Sequence, residues 1–217
     1  MAITGLGEKQ QKILQFLVQE KEGMTVDQFS KRLDISRSAI HQHITVLERD
    51  GYVKKSASMQ TGGRPGTTFV LTNKGIHLFP KQYNLFAEML IKLIKNKLGA
   101  KGLIEYLREL GVSLSETKKQ ALAGKTLNEK IEMTVEIMQE LGYEAQIADA
   151  DTGEYPVIDA YNCVFHDLAN ENEEVCELDL SLLSSLLDSE IEHVCCMAKG
   201  GSRCRFKVVP PDYPKVN

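Results

Sequence analysis

No run of about eighteen apolar residues occurs in the 217-residue chain, so no membrane-spanning helix is expected. The amino terminus, Met1-Ala2-Ile3-Thr4-Gly5, leads into charged residues and lacks the apolar core of a signal peptide. These two absences predict a cytoplasmic protein, in which stable disulfides are uncommon and grouped cysteines hold metal or do redox work. No thiol precedes residue 163. The chain also lacks a Ser-His-Asp set, a catalytic carboxylate pair and a nucleotide loop. Gly124-Lys125-Thr126 resembles the tail of a phosphate loop, but Lys119 stands where that loop requires glycine. An enzyme is therefore not expected.

What is present describes an ordinary folded protein, with 42% hydrophobic and 26% charged residues and length enough for two small domains. The net charge of −4 conceals an asymmetry. Residues 1–75 carry eleven Lys or Arg against seven Asp or Glu, or +4, and the remainder fifteen against twenty-three, or −8. A basic segment joined to an acidic remainder suggests a polyanion-binding module attached to something of different purpose.

The basic segment reads as a winged helix. Apolar residues Ile13, Leu14, Phe16, Leu17 and Val18 predict an amphipathic first helix over 8–21. Thr25 is a suitable cap for a second helix over 26–33, with Phe29 and Leu33 facing inward. Ser36 caps a third helix reaching about Asp50, with Ile40, Ile44 and Leu47 on its apolar face. Its opposite face carries Arg37, Ser38, His41, Gln42, Thr45 and Arg49, side chains of the kind that read base edges and grip phosphates. Tyr52-Val53 and residues 67–71 then form two strands around a glycine-rich tip, where Arg64 can reach a phosphate or the minor groove. Double-stranded DNA is the expected partner.

Between 79 and 142 the pattern is helical. Leu85, Phe86, Met89, Leu90, Leu93, Ile94 and Leu98 form an apolar seam over 82–98. A shorter helix over 103–110 is expected to end at Gly111, another to follow Ser115, and a last one to run from Leu127 to Leu141. A long amphipathic helix after a winged helix suits dimerisation, and helix-turn-helix proteins bind two half-sites as two-fold dimers. The expected fold class is α+β: a winged helix over 1–78, a helical connecting and dimerisation region over 79–142, and a small cysteine domain over 143–217.

Within that last part, residues 143–147 and 157–161 read as strands separated by a turn at 149–153. Cys163 follows the second strand, and Cys176 opens a helix whose amino-terminal dipole favours a thiolate. Residues 191–197 and 205–209 suggest a hairpin symmetric about Gly200, which sets Cys196 opposite Cys204 and turns Cys195 to the other face. Buried cysteines also serve as small hydrophobes. Spacings of twelve, nineteen and seven residues are not the Cys-x-x-Cys pairs of zinc ribbons; thiolate-only ligation suits zinc or iron–sulfur centres.

Three stretches resemble one family. They are Gly63-Arg64-Pro65 with Phe69-Val70-Leu71-Thr72-Asn73-Lys74-Gly75 and Leu78-Phe79-Pro80, Asn162-Cys163 with Val175-Cys176-Glu177, and Cys196-x-Ala198-x-Gly200-x-x-x-Cys204-x-Phe206. Together they are similar to the SufR group of DeoR-like winged-helix repressors, which control the Suf iron–sulfur assembly operon. The resemblance implies a 4Fe–4S cluster on three or four of Cys163, Cys176, Cys196 and Cys204, with 2Fe–2S or zinc as alternatives. It also implies a cluster-loaded homodimer that binds the operator and releases it on cluster loss. Val164-Phe165 departs from the family's Pro-Tyr after the first cysteine. Cys195 is an additional candidate as substitute ligand, and His166 and His193 compete for the fourth position.

Overall fold

The computed structural model describes residues 5–56, 67–148 and 155–211. It divides into two compact units, 1–82 and 83–217. The three-part division at 78 and 142 thus becomes two parts. Leu78 and Phe79 pack onto the core of the first unit, and the helices beyond Gln82 fold together with the cysteine-bearing region.

Four helices and a small sheet form the described part of the first unit: α1 (Glu8–Gln19), β1 (Met24–Thr25), α2 (Val26–Leu33), α3 (Arg37–Arg49), β2 (Val53–Ser56), β3 (Thr68–Leu71) and α4 (Asn73–His77). The α2 start is a reciprocal cap in which Thr25 Oγ1 accepts from Gln28 N–H (3.3 Å) and Gln28 Oε1 accepts from Thr25 N–H (2.7 Å). Ser36 Oγ likewise accepts from Ala39 N–H at 3.2 Å to start α3. Ile13, Leu14, Phe29, Ile40 and Leu47 are wholly buried and form the core; Val18 stays exposed. All three strands are antiparallel in the order β1-β3-β2, with Val53 opposite Leu71 and Met24 opposite Phe69. The Thr72-x-x-Gly75 pattern closes this unit: Thr72 Oγ1 accepts from Gly75 N–H (3.0 Å) and donates to the Gly51 carbonyl (2.6 Å). A Cβ at residue 75 would collide with the Tyr52 carbonyl, so only glycine fits there.

In the second unit, α5 (Tyr83–Leu122) breaks at Gly99, where φ is 71°, and continues without a stop at Gly111. α6 (Leu127–Glu140), β4 (Ala145–Ala148), β5 (Val157–Ala160), α7 (His166–Glu171), α8 (Cys176–Leu187), β6 (Glu190–Cys195) and β7 (Cys204–Val209) follow. The sheet is antiparallel with order β4-β5-β7-β6. Ile131, Val135 and Met138 of α6 and Leu183 and Leu187 of α8 pack on Ile158, Phe206 and Val208 of the sheet. Each such side chain contributes about 1.5–3 kcal/mol by leaving water.

The expected helix ends at Gly111 and Ser115 are corrected by packing between α5 and α8. A Cβ at residue 111 would press on the Leu178 carbonyl and Leu182 amide, so the glycine permits close approach rather than ending a helix. Ser115 is fully buried inside α5 and hydrogen-bonds Ser185 at 2.7 Å. Leu85, Phe86, Met89, Leu90, Leu93 and Leu98 of the predicted seam remain exposed, while Ile91 turns inward with Leu103, Leu107 and Val175. The turn expected at 149–153 lies outside the described residues.

Candidate DNA-binding face and thiol centre

The outer face of α3 has the composition its sequence implied. Arg37, Ser38, His41, Gln42, Thr45 and Arg49 are all exposed, while Ile40, Ile44 and Leu47 hold the opposite face in the core. Arg37 Nε pairs with Asp27 at 2.6 Å, and Arg49 Nε with Asp50 at 2.9 Å. Exposed pairs of this kind are screened by water and salt, so either guanidinium can exchange its carboxylate for a phosphate at little loss. His41 and Thr45 also line a groove of about 450 Å³ shared with Thr25, Asp27 and Lys55. Arg64 lies outside the described residues. Lys54 and Lys55, exposed on β2, add cations that the sequence reading passed over. The signal was an adjacent lysine pair leading into the wing.

Four of the five cysteines meet in the second unit. Cys163 follows β5 in a loop clipped to the α6–β4 turn by Asn162, whose side chain donates to the Gly142 carbonyl (2.8 Å) and accepts from Glu144 N–H (2.6 Å). Cys176 is the first residue of α8, and Cys196 and Cys204 are buried at either side of the β6–β7 connection. Cys176 and Cys196 sulfurs stand 3.8 Å apart. Cys204 Sγ accepts from Met197 N–H at 3.5 Å.

The end of the hairpin has the register that symmetry about Gly200 requires, and only the ladder before it departs. Strand β6 ends at Cys195, paired with Arg205, and the register slips between His193 and Cys195. Cys196 is next in that register, in line with Cys204 as expected, one residue past the end of the strand. Cys195 Sγ packs beside Gly201 instead of entering the apolar clusters that take in the other four cysteines. His166, the other histidine considered, is exposed and lies 3.0 Å from the Asn170 side-chain nitrogen.

Burial governs the thiol chemistry. It pushes the Cys176 thiol strongly upward, reinforced by Cys196, Asp179 and Cys204, so the favourable helix terminus does not prevail. Burial likewise drives Cys204 up to about 11, against the Met197 amide and with help from Cys196 and Cys163. Cys163 is raised chiefly by burial, with Asp179 and Cys196 adding to it and the Phe165 backbone opposing. The sulfurs thus sense one another as a group.

Asp179, which the sequence reading missed, and His193, which it named as a candidate ligand, complete the surroundings. Asp179 on α8 accepts a 2.6 Å hydrogen bond from the buried Tyr143 hydroxyl, and burial lifts its carboxyl to about 6 despite that bond. His193 stacks on Phe206 with ring centroids 4.9 Å apart, and burial lowers its pKa. The half-buried thiols and the buried Asp179 carboxyl resist ionising together, and a cation held by Cys176, Cys196 and His193 would relieve the thiols. The donor set is soft and rich in sulfur, which fits zinc or an iron–sulfur cluster.

Cys204 is held by a charge clamp. Asp159, buried on β5, accepts from Arg205 Nε and one of its terminal nitrogens at 2.7 Å each and pairs with Arg203 at 3.0 Å. Arg205 sits directly across the ladder from Asp159 and next to Cys204, which is paired with Ala160.

Residues 9–59 match the HTH domain family HTH_11, the segment that contains α1 to α3. The first unit is accordingly a winged helix-turn-helix of the DNA-binding kind. No curated protein matches the chain. Among solved structures, the S. aureus MepR–DNA complex is 19% identical over 64% of this chain and 80% of that one, with a TM-score of 0.32. The adhesin competence repressor AdcR of Streptococcus pyogenes is 22% identical over 53% and 84%, with a TM-score of 0.31. Lactococcus lactis ZitR, a zinc-responsive MarR family member, is 16% identical over 64% and 78%, with a TM-score of 0.30. Likeness at this level carries no argument about function. No helix among the described residues is long and apolar enough to cross a membrane.

Proposed function

We propose that the protein is a homodimeric transcriptional repressor, acting in the cytoplasm on double-stranded operator DNA, that controls iron–sulfur assembly (suf) genes. In this reading Cys163, Cys176, Cys196 and Cys204 hold a 4Fe–4S cluster, and its presence stabilises the DNA-competent state. The observation that supports the reading is that Cys176 and Cys196 sulfurs stand 3.8 Å apart, with Cys163 and Cys204 close enough for the thiols to raise one another's pKa. The cationic, hydrogen-bonding face of α3 supplies an output for such a sensor. Exposed Phe86, Met89 and Leu93 on α5 provide an apolar face for a second copy, in keeping with two-fold operator binding. The role is regulatory rather than enzymatic.

A zinc ion or a thiol–disulfide pair on the same thiols is the competing reading. Thiols held above their usual pKa are poor nucleophiles near neutrality, which weakens the disulfide version. Anaerobic purification separates the rest. Brown protein with iron and acid-labile sulfide in equal amounts supports the cluster, and colourless protein without sulfide after reconstitution defeats it. Ser at Cys163, Cys176 or Cys204 should remove the cluster and operator repression together; repression at the wild-type level by any of them would remove that residue from the sensor.

A further inference from the structure

Within the thiol group, one subset is arranged for a single ion. Sγ of Cys176, Sγ of Cys196 and one ring nitrogen of His193 all lie within 4.8 Å of one another. Two thiolates bound about 2.3 Å from one tetrahedral zinc stand about 3.8 Å apart. The Cys176–Cys196 separation is 3.8 Å. A 4Fe–4S cubane instead takes each cysteine on a different iron, so its ligand sulfurs stand farther apart and this pair would have to separate to hold one.

The local backbone serves the same subset. In a regular strand, residues three apart point to opposite faces. The bulge between His193 and Cys195 adds one residue, Val194, which is turned out to solvent at 59% exposure. With that extra residue, His193 and Cys196 both come to the side of Cys176, the re-aiming for which bulges are used near functional sites. Nε2 of His193 is buried and has no hydrogen-bond partner. A buried ring nitrogen without a partner is unfavourable unless something binds it. The Phe206 ring against its face fixes the imidazole plane.

We infer that the cluster-free protein binds one zinc ion through Cys176 Sγ, Cys196 Sγ and His193 Nε2, with water in the fourth position. The inference rests on reading these thiols as a metal-binding sensor, and it adds a second, mutually exclusive occupant to that sensor. Binding is a simple exchange: zinc enters, the two thiols become thiolates, and two protons leave to solvent. Cluster loss then gives a zinc form instead of an empty thiol pocket. Imidazole, which the four-cysteine set does not use, becomes the ligand that tells the two states apart.

The test uses the full-length reduced protein, stripped of metal and titrated with zinc against a chromophoric chelator, with cobalt(II) as a spectroscopic substitute. Wild type should take up one zinc per chain, and the cobalt form should show intense tetrahedral bands with thiolate charge transfer. His193→Gln should weaken zinc binding about 100-fold, at least as much as loss of a supporting ligand contact does. The same variant should still incorporate iron and sulfide. Cys196→Ser should lower the thiolate-to-cobalt intensity by half, which guards against a folding artefact in the histidine variant. Absence of zinc uptake by wild type, or unchanged affinity in His193→Gln, overturns the inference. Zinc uptake with the expected variants but no cluster under reconstitution defeats the iron–sulfur reading alone.

Discussion

Replacing Asp159 by Asn tests how the thiol centre is held in place. The carboxylate is 1% exposed, accepts two 2.7 Å bonds from Arg205 and faces Arg203 at 3.0 Å. Asn keeps the shape and one acceptor but removes the negative charge that the Arg203 and Arg205 guanidinium groups share. Removing one partner of a buried pair is destabilising by about 3–5 kcal/mol. Here both arginine side chains are 32% exposed and water can take over part of their solvation. The expected loss is therefore nearer 2–3 kcal/mol, or about 6–12 °C in Tm for a unit of this size. Because the chain has no tryptophan, unfolding is best followed by far-ultraviolet circular dichroism in urea.

The same substitution has a defined pH dependence. Arg205 above all holds the Asp159 carboxyl below its ordinary pKa, so the stabilisation it provides is fully present above the usual carboxylate range. It is lost as the pH falls through the lowered value in the folded protein. Wild type and Asp159→Asn should therefore differ fully at pH 6–7 and converge under acid conditions. A difference below about 0.5 kcal/mol at pH 7, the size expected of an ordinary surface substitution, would refute the clamp. So would a difference that persists unchanged into acid.

Other substitutions isolate single links in the account. Gly111→Ala would gain about 1 kcal/mol from helix propensity alone, but its Cβ meets the α8 backbone, so a net loss of about 1–3 kcal/mol is expected in urea unfolding. Arg37→Ala should weaken DNA binding at every salt concentration and reduce the slope of log K against log salt by about one contact, without changing metal content. Asp179→Asn should stabilise the metal-free protein at pH 8, where the wild-type carboxylate, raised to about 6 by burial, is ionised against its surroundings. That gain should disappear at pH 4, where the carboxyl is already protonated in the fold, and thermal melts at the two values check it.

Local rules accounted for the first unit. Thr25 and Ser36 start helices because their hydroxyls accept orphan amide hydrogens, and the four-and-three spacing of Ile40, Ile44 and Leu47 set which face of α3 stays wet. The two-residue β1 carried no periodicity to detect; it exists because Met24 pairs with Phe69 across a strand supplied much later. In the second unit, grouping of the cysteines was legible and His193 was a candidate beside them, while the packing that assembles them was not. Gly111 looked like a helix stop because its reason lies on α8, seventy residues away. The bulge at Val194 is likewise a product of pairing with β7, and it brings His193 beside Cys196 where strict alternation separated them. Tyr143 and Asp179, distant in sequence, acquire meaning only as a buried pair.

The most direct test of the central claim is operator affinity measured side by side, by fluorescence anisotropy at fixed salt, for anaerobically cluster-loaded protein and for the same preparation after cluster removal. The account predicts that the loaded protein binds at least tenfold more tightly, a coupling of about 1.4 kcal/mol between the thiol centre and the DNA-binding face. Equal affinities for the two forms would mean that the thiols do not govern the winged helix, and would contradict the account.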